Sequence, residues 1–411
     1  VSHPQESRPP GITITIPTYW SRPSGNEDRP EDAIFDHPTP LDRPGTLGRC
    51  LESLARLSST EFRVLIITAP ANESLAEAVQ DRVEDIIAPF RRYFPVGQFG
   101  PRELGEVRRL LEIRGLDPKA VGLAAYAEVR NCQILGAVLL DSEVIVGIDD
   151  DEVVPPGYLG RALESLELAQ GFEAGGVAGI YLDAGGDYRL RIDSEDARSQ
   201  NIFVRKAVLI NEQFERCFAR PGRLVDTPLA LGGNMVFSRA LFRSVAFDPG
   251  ITRGEDIDYL MNSRLLGYRW LLDKELAITH LPPKRTAGDP LSTTPYAKLQ
   301  QDVLRFIYQR EKLRVAREQV DLETLDPDLF EVYPGAFLRE DLEAQALEAL
   351  RELRPHGQEE RFFASPEELL RQAVKRADRA RRYFAFNEYW RRVLQAVESE
   401  DSLKDMLQST P

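Results

Sequence analysis

The run Val144-Ile145-Val146-Gly147-Ile148-Asp149-Asp150-Asp151-Glu152 sets four consecutive carboxylates at the end of a short, largely β-branched apolar segment. Like charges packed this closely repel unless a cation sits among them, and a divalent metal is the usual one. The apolar part is short and uniformly hydrophobic, so it reads as an interior parallel strand. Such strands hold ligands at their carboxyl ends. The segment therefore predicts an α/β chain with a metal-diphosphate site at this strand end. A solvated acidic turn closed by Pro155-Pro156-Gly157 is the competing reading of the same residues.

The flanking sequence supplies the rest of a doubly wound pattern. Residues 1–10 are a polar tail, and Gly11 to Pro17 alternates as a first strand that stops at proline. A Pro-, Asp- and Arg-rich insertion, 20–44, follows. Leu47, Leu51, Leu54 and Leu57 then recur at helical spacing before a second buried strand over 62–68. Residues 73–115 carry mixed helical patterns. A helix is expected over 124–140, a strand over 176–181, and a helix from near Ser238. Another begins at Glu255-Asp256 and ends around Gly267, before short strands at 270–272 and 277–279. The α/β domain is thus expected over 11–290. Beyond it, 291–411 is Arg/Glu-rich and striped for helices over 299–313, 338–353, 366–382 and 388–407, a C-terminal appendage with a surface for homo-oligomers.

Composition narrows the function. A formal net charge of −14 over 411 residues argues against a nucleic-acid binder, which needs a basic face. Cys50, Cys132 and Cys217 are too few and too dispersed for a disulfide framework or zinc cluster, so a reducing cytosol is expected. No apolar run reaches the ~18 residues of a membrane span, and the first residues lack signal-peptide character. A cytoplasmic location is expected, with peripheral membrane attachment left open.

Beside the acidic run stand two further chemically competent points: Gly254-Glu255-Asp256 at a helix start, and His280, one of four histidines, at a strand end before Pro282-Pro283. Taken alone, an acidic helix start is a cap and a lone histidine a packed side chain. Their order along the chain changes the weighting. Ile16-Pro17-Thr18-Tyr19, Leu51-Glu52-Ser53-Leu54, Val64-Leu65-Ile66-Ile67, Val129-Arg130-Asn131, the Asp-rich strand, Gly232-Gly233-Asn234-Met235 and Gly254-Glu255-Asp256 together resemble the family 2 glycosyltransferases of GT-A fold, a Rossmann-like, mostly parallel sheet flanked by helices. The likeness spans about residues 11 to 285, and the motif order is most similar to galactofuranosyltransferase-type enzymes.

That resemblance implies a metal-dependent, inverting sugar transfer from a nucleoside-diphosphate donor, UDP-sugar favoured, to a hydroxyl acceptor. Asp149, Asp151 and His280 would hold Mn²⁺ or Mg²⁺, with Asp151 the more direct ligand, and Asp150 would face the donor sugar or ribose. Pro17, Thr18 and Tyr19 would line the nucleotide pocket, and Arg130, Gly232, Gly233 and Asn234 would complete the donor site. Asp256, beside Glu255, would be the base. The insertion 20–44 is longer than the family's usual link and stands where a nucleotide lid could form. A sugar-nucleotide pyrophosphorylase is the alternative enzyme class, but Pro17-Thr18-Tyr19-Trp20 is not its Gly-rich phosphate loop. A non-catalytic nucleotide-sugar binding module is the third possibility.

Overall fold

Alternation in the first strand sets the middle of the molecule. β1 (Ile12–Ser21) turns Ile12, Ile14, Ile16 and Trp20 into one core. Thr13 and Thr15 serve the opposite face, where Thr15 Oγ1 accepts a hydrogen bond from Gln133 at 3.2 Å. The computed structural model describes residues 11–24, 35–36, 38–283, 294–318, 330–355, 357–398 and 400–408. The expected tail 1–10 and much of the 20–44 insertion lie outside these.

The remaining strands are β2 (Thr39–Pro40), β3 (Arg63–Pro70), β4 (Val96–Phe99), β5 (Val144–Gly147), β6 (Glu152–Val153), β7 (Ala174–Leu182), β8 (Leu224–Asp226), β9 (Met235–Ser238) and β10 (Arg269–His280). They form one mixed, mostly parallel sheet in the order β4-β3-β1-β5-β9-β7-β10-β6, with β2 beside β1 and β8 beside β10. β9 runs against β5 and β7, and β6 and β8 run against β10. The chain lays β3 and then β4 on one side of β1 and returns to lay β5 on the other. Strand order therefore reverses between β1 and β5, and a crevice opens there at the carboxyl ends.

Helices α1 (Leu47–Leu54), α2 (Ala76–Ile87), α3 (Pro101–Ile113), α4 (Tyr126–Leu139), α5 (Tyr158–Gln170), α6 (Lys206–Ala219), α7 (Arg239–Ser244) and α8 (Glu255–Leu265) are interspersed with the strands. They are followed by α9 (Pro295–Arg317), α10 (Leu342–Glu352), α11 (Pro366–Ala377), α12 (Arg382–Val397) and α13 (Asp401–Gln408). α1, α2 and α5 cover the face that bears Ile12, Ile14 and Ile16. On the other face α3, α4, α7, α8 and residues of α9 to α13 share one continuous core. α4 lies between the sheet and α12, and every residue from Val129 to Leu139 is buried. Its polar members must be satisfied internally, and they are: Asn131 exchanges two hydrogen bonds with the backbone of Phe247, at 2.9 and 2.8 Å.

Several expectations are corrected in detail. β1 does not stop at Pro17 but continues to Ser21. Thr15 and Pro17 face the same edge, towards β5, and that ladder ends at Thr15 opposite Gly147. The missing proline N–H therefore costs no ladder bond. The two short strands expected at 270–272 and 277–279 are one strand, β10, irregular between Leu272 and Ala277. The mixed pattern of 73–115 contains a strand, β4, between two helices. The helix expected over 388–407 is split between α12 and α13.

α8 is tied to α9 by a buried ion cluster. Lys312 Nζ is fully buried and lies 2.9 Å from Asp248 and 2.6 Å from Asp258. Burial pushes the Asp258 carboxyl up, and the ammonium opposes it. Replacing Lys312 with Met leaves two buried carboxylates without their cation. A loss of about 3–5 kcal/mol is expected, read as a lower urea midpoint at neutral pH. An unchanged midpoint would show that the cluster does not hold α8.

Candidate active site

The acidic turn is folded back onto the sheet rather than left in solvent. After β5 the chain reverses through Asp149, Asp150 and Asp151, and β6 pairs antiparallel with the end of β10, His280 opposite Glu152. Leu281 N–H donates to the Asp151 carbonyl at 2.9 Å, and Arg49 from α1 reaches the Leu281 carbonyl at 2.5 Å. The register puts His280 Nε2 3.2 Å from Asp151 Oδ2. Burial pulls the imidazole down, but the hydrogen bond and charge of Asp151 outweigh it and hold His280 above its ordinary value. Two residues separated by more than a hundred positions thus meet because β6 exists, and neither strand pattern announced that pairing.

The other carboxylates are short of positive charge. Burial, reinforced by Asp151, pushes Asp150 up to about 7 even though Thr18 Oγ1 donates to it at 2.6 Å. Burial likewise raises Asp149, and Arg130 opposes it. Glu152, fully buried, is raised well above the carboxylate range by burial and by Asp149 and Asp151, while its Oε2 accepts the Asp149 N–H at 2.8 Å. Glu152, the last carboxylate of the acidic run, braces the turn and so belongs to the site as well.

Arg130 joins this turn to the start of α8. Its guanidinium is buried, 2.8 Å from Asp149 Oδ1 and 3.2 Å from Glu255 Oε1. The Gly232-Gly233 pair passes close beside both charges. A methyl group on Gly232 would run into the Arg130 guanidinium, and one on Gly233 into the Glu152 carboxylate. Gly232 N–H donates to Asp256 Oδ2 at 3.0 Å, and Gly233 N–H to the Tyr181 hydroxyl. Asp256 Oδ1 accepts the Ile257 N–H at 2.7 Å, which still leaves lone pairs on the carboxylate for a proton. Burial, and then Glu255, push Asp256 up to about 6. Glu255 and Asp256 do not act as side-chain N-caps, since Gly254 occupies that position.

The end of β1 lines the opposite side of the switch point. Thr18 is buried between Asp150 and the Trp20 indole, whose Nε1 donates to Thr18 Oγ1 at 3.0 Å. Tyr19 packs against Phe35 and Tyr126 with ring centroids 4.4 and 5.2 Å away, and its buried hydroxyl has no partner among the described residues. Pro17 is buried in the strand itself. Asn234 is wholly interior: Oδ1 accepts from Tyr158 at 2.8 Å, and Nδ2 donates to the carbonyls of Ile180 and Leu276 at 3.1 and 3.0 Å. It holds the Gly-Gly segment against the sheet instead of presenting its amide to the crevice.

Asp149, Asp151 and His280 offer two carboxylates and an imidazole, a donor set suited to Mn²⁺ or Mg²⁺. Among the described residues, no three His, Cys, Asp or Glu side chains are gathered at ion-holding distance. Asp151 and His280 form a pair, while Asp149 leans on Arg130. The residues fit a metal by their donor chemistry, with Asp149 the member that would exchange partners.

No protein-family description matches the chain, and no curated protein does. Solved structures give distant likenesses. The mannosyltransferase PcManGT from Pyrobaculum calidifontis, in complex with GDP-Man and Mn²⁺, is 15% identical with a TM-score of 0.42, over 95% of this chain and 86% of that one. S. aureus TarS 1–349 is 14% identical with a TM-score of 0.44, over 94% and 90%. GalNAc-T7 with UDP, GalNAc and Mn²⁺ is 12% identical with a TM-score of 0.41, over 85% of this chain and 58% of its own.

Substituting Arg130 with Met removes the one cation between Asp149 and Glu255. Asp149, already raised by burial and opposed by Arg130, then gains proton affinity in the folded state, so the native protein binds more protons than the unfolded chain above pH 4 or so, and stability falls as pH rises. A deficit of about 3–5 kcal/mol is expected at pH 8, shrinking towards pH 5. Denaturant midpoints across that range test it; a deficit independent of pH would mean that Arg130 acts by packing alone.

Proposed function

We propose that this chain is a metal-dependent glycosyltransferase of the GT-A type, related to family 2, that moves a sugar with inversion from a nucleoside-diphosphate donor to a hydroxyl acceptor. The observation that carries the reading is the convergence of three elements at the β1/β5 switch point: the Asp149–Asp151 turn with His280, Arg130, and a half-buried Asp256 at a helix start. Asp149, Asp151 and His280 would hold Mn²⁺ or Mg²⁺, which when bound supplies charge stabilisation for the departing diphosphate.

The chain's own groups account for the remaining roles. Tyr19, with an unpartnered hydroxyl and a ring in an aromatic group, suits a nucleobase, and Thr18 orients Asp150 towards the donor's ribose or sugar. Arg130 keeps the acidic turn at a fixed distance from α8. Asp256 takes the acceptor's proton as the oxygen attacks. A carboxyl held near 6 is mostly ionised at pH 7 yet basic enough to accept that proton. No helix among the described residues is long and apolar enough to cross a membrane.

Metal dependence is tested first. Exhaustive chelation should abolish release of nucleoside diphosphate from whichever UDP-, GDP- or dTDP-sugar raises the melting temperature, and added Mn²⁺ or Mg²⁺ should restore it. Full turnover after chelation would remove the metal role. Consumption of a nucleoside triphosphate with a sugar phosphate would point instead to a pyrophosphorylase.

Asp256→Asn keeps the shape and one acceptor oxygen while removing basicity. Turnover should drop by about 10²- to 10⁴-fold with donor affinity nearly intact. In the parent enzyme kcat should fall on the acid side near pH 6, as the carboxyl takes up its proton. Loss of donor binding in the variant, or unchanged turnover, would make Asp256 a ligand or a structural residue.

A further inference from the structure

The start of α8 is not held by the sheet domain alone. Arg305, on α9, is buried, with Nε 3.0 Å from Asp302 Oδ1, Nη1 3.4 Å from the Arg253 carbonyl and Nη2 3.2 Å from the Tyr333 hydroxyl. Gly254, immediately before Glu255 and Asp256, is in the left-handed region at φ 68° and ψ 40°. A β-carbon there would overlap Arg305 Nη1, so the guanidinium lies directly on the backbone that leads into Asp256. Only glycine permits both the backbone angle and the approach.

Asp302 fixes Arg305 from below. It also pairs with Lys206 and lies 3.9 Å from Arg253, and although burial raises its carboxyl, Lys206, Arg305 and Arg253 hold it down at about 2. The Asp302 charge is therefore permanent at any working pH, and Arg305 is anchored on one side by a carboxylate and on the other by Tyr333. Second-side support comes from Lys312, two turns further along α9, which binds Asp258 on α8.

We propose that Arg305 is a positioning residue for the transfer reaction: lying against Gly254, it fixes the first turn of α8 and with it the place of the Asp256 carboxylate that receives the acceptor's proton. The proposal rests on Asp256 being the base. The groups that bear on Asp256 are Glu255 on its own helix, Arg130 from α4, Arg305 from α9, and the hydroxyls of Tyr181 and Tyr333. Burial and Glu255 favour the protonated acid, while Arg305 and Arg130 favour the carboxylate. Removing Arg305 therefore moves the Asp256 proton affinity upward and shifts the loss of base to higher pH.

The test uses the full chain with Mn²⁺ and the best donor from a panel of UDP-, GDP- and dTDP-sugars, following donor hydrolysis with water as acceptor. In Arg305→Gln the acid limb of the kcat profile should move up by about 1 pH unit, and kcat at pH 6 should fall by about fivefold, with the donor dissociation constant within about twofold of the parent. Arg305→Lys should bring the limb most of the way back. A limb that stays in place in Arg305→Gln, or a Lys variant no better than Gln, overturns the proposal. Tyr333→Phe keeps the guanidinium but removes one anchor, and covers the case in which Arg305→Gln does not fold: kcat should drop without a change in donor affinity, and an unchanged kcat overturns the positioning role. Asp256→Asn separates the two levels of the argument. If that variant turns over normally, the base assignment fails; if it is crippled while the Arg305→Gln limb is unmoved, only the Arg305 proposal fails.

Discussion

One guanidinium shared by two carboxylates ties the candidate site together. Arg130 belongs to a helix with no exposed face from Val129 onward, so its position is dictated by core packing between the sheet and α12. A buried cation needs a counter-charge in contact, because the interior does not screen it and an unpaired charge there is costly. Asp149 and Glu255 meet that need from two segments more than a hundred residues apart in sequence. The acidic turn and the start of α8 are thereby set at one distance from each other. Gly232 and Gly233 follow as a consequence, since the chain between β8 and β9 must pass through the space left beside the Arg130 guanidinium and the Glu152 carboxyl.

The same arrangement leaves the acidic turn electrostatically underfilled. One arginine is divided between two carboxylates, and among the described residues Asp150 and Glu152 have no cation paired with them. Burial first, and then repulsion from neighbouring carboxylates, raise the proton affinity of Asp149, Asp150 and Glu152, and the repulsive part is the negative potential that a divalent ion would meet there. Proton and metal compete for one potential, so metal binding at such a turn is expected to release protons and to weaken as pH falls.

The repetitive part of this design was legible in the sequence and the non-local part was not. Ile12, Ile14 and Ile16 announced a strand by alternation, Val144 to Val146 an interior strand by an unbroken apolar run, and the acidic residues after Gly147 marked the carboxyl end. Glu255-Asp256 marked a helix start. The continuation of β1 past Pro17 was hidden because a proline is disqualifying only where its N–H has a partner to lose, which depends on where β5 ends. β6 is two residues long, too short for any periodicity, yet it is what carries His280 to Asp151. Asn234 stood in a motif that suggested ligand contact, but its amide is saturated by Tyr158, Ile180 and Leu276. Arg305 carried no local signal at all, being one of many arginines on Arg/Glu-rich helices.

The C-terminal helices matter to the site through the kind of contact they make. Apolar packing alone would let α8 slide by small amounts, since hydrophobic contacts are non-directional. Arg305 against Gly254 and Lys312 against Asp258 are directional, and they act about one turn apart on the same helix. Two such contacts fix the rotation of α8 about its axis as well as its position. Rotation is what decides whether Asp256 faces Gly232 and the crevice or turns into the core, so a region without any recognisable motif sets the orientation of the proposed base.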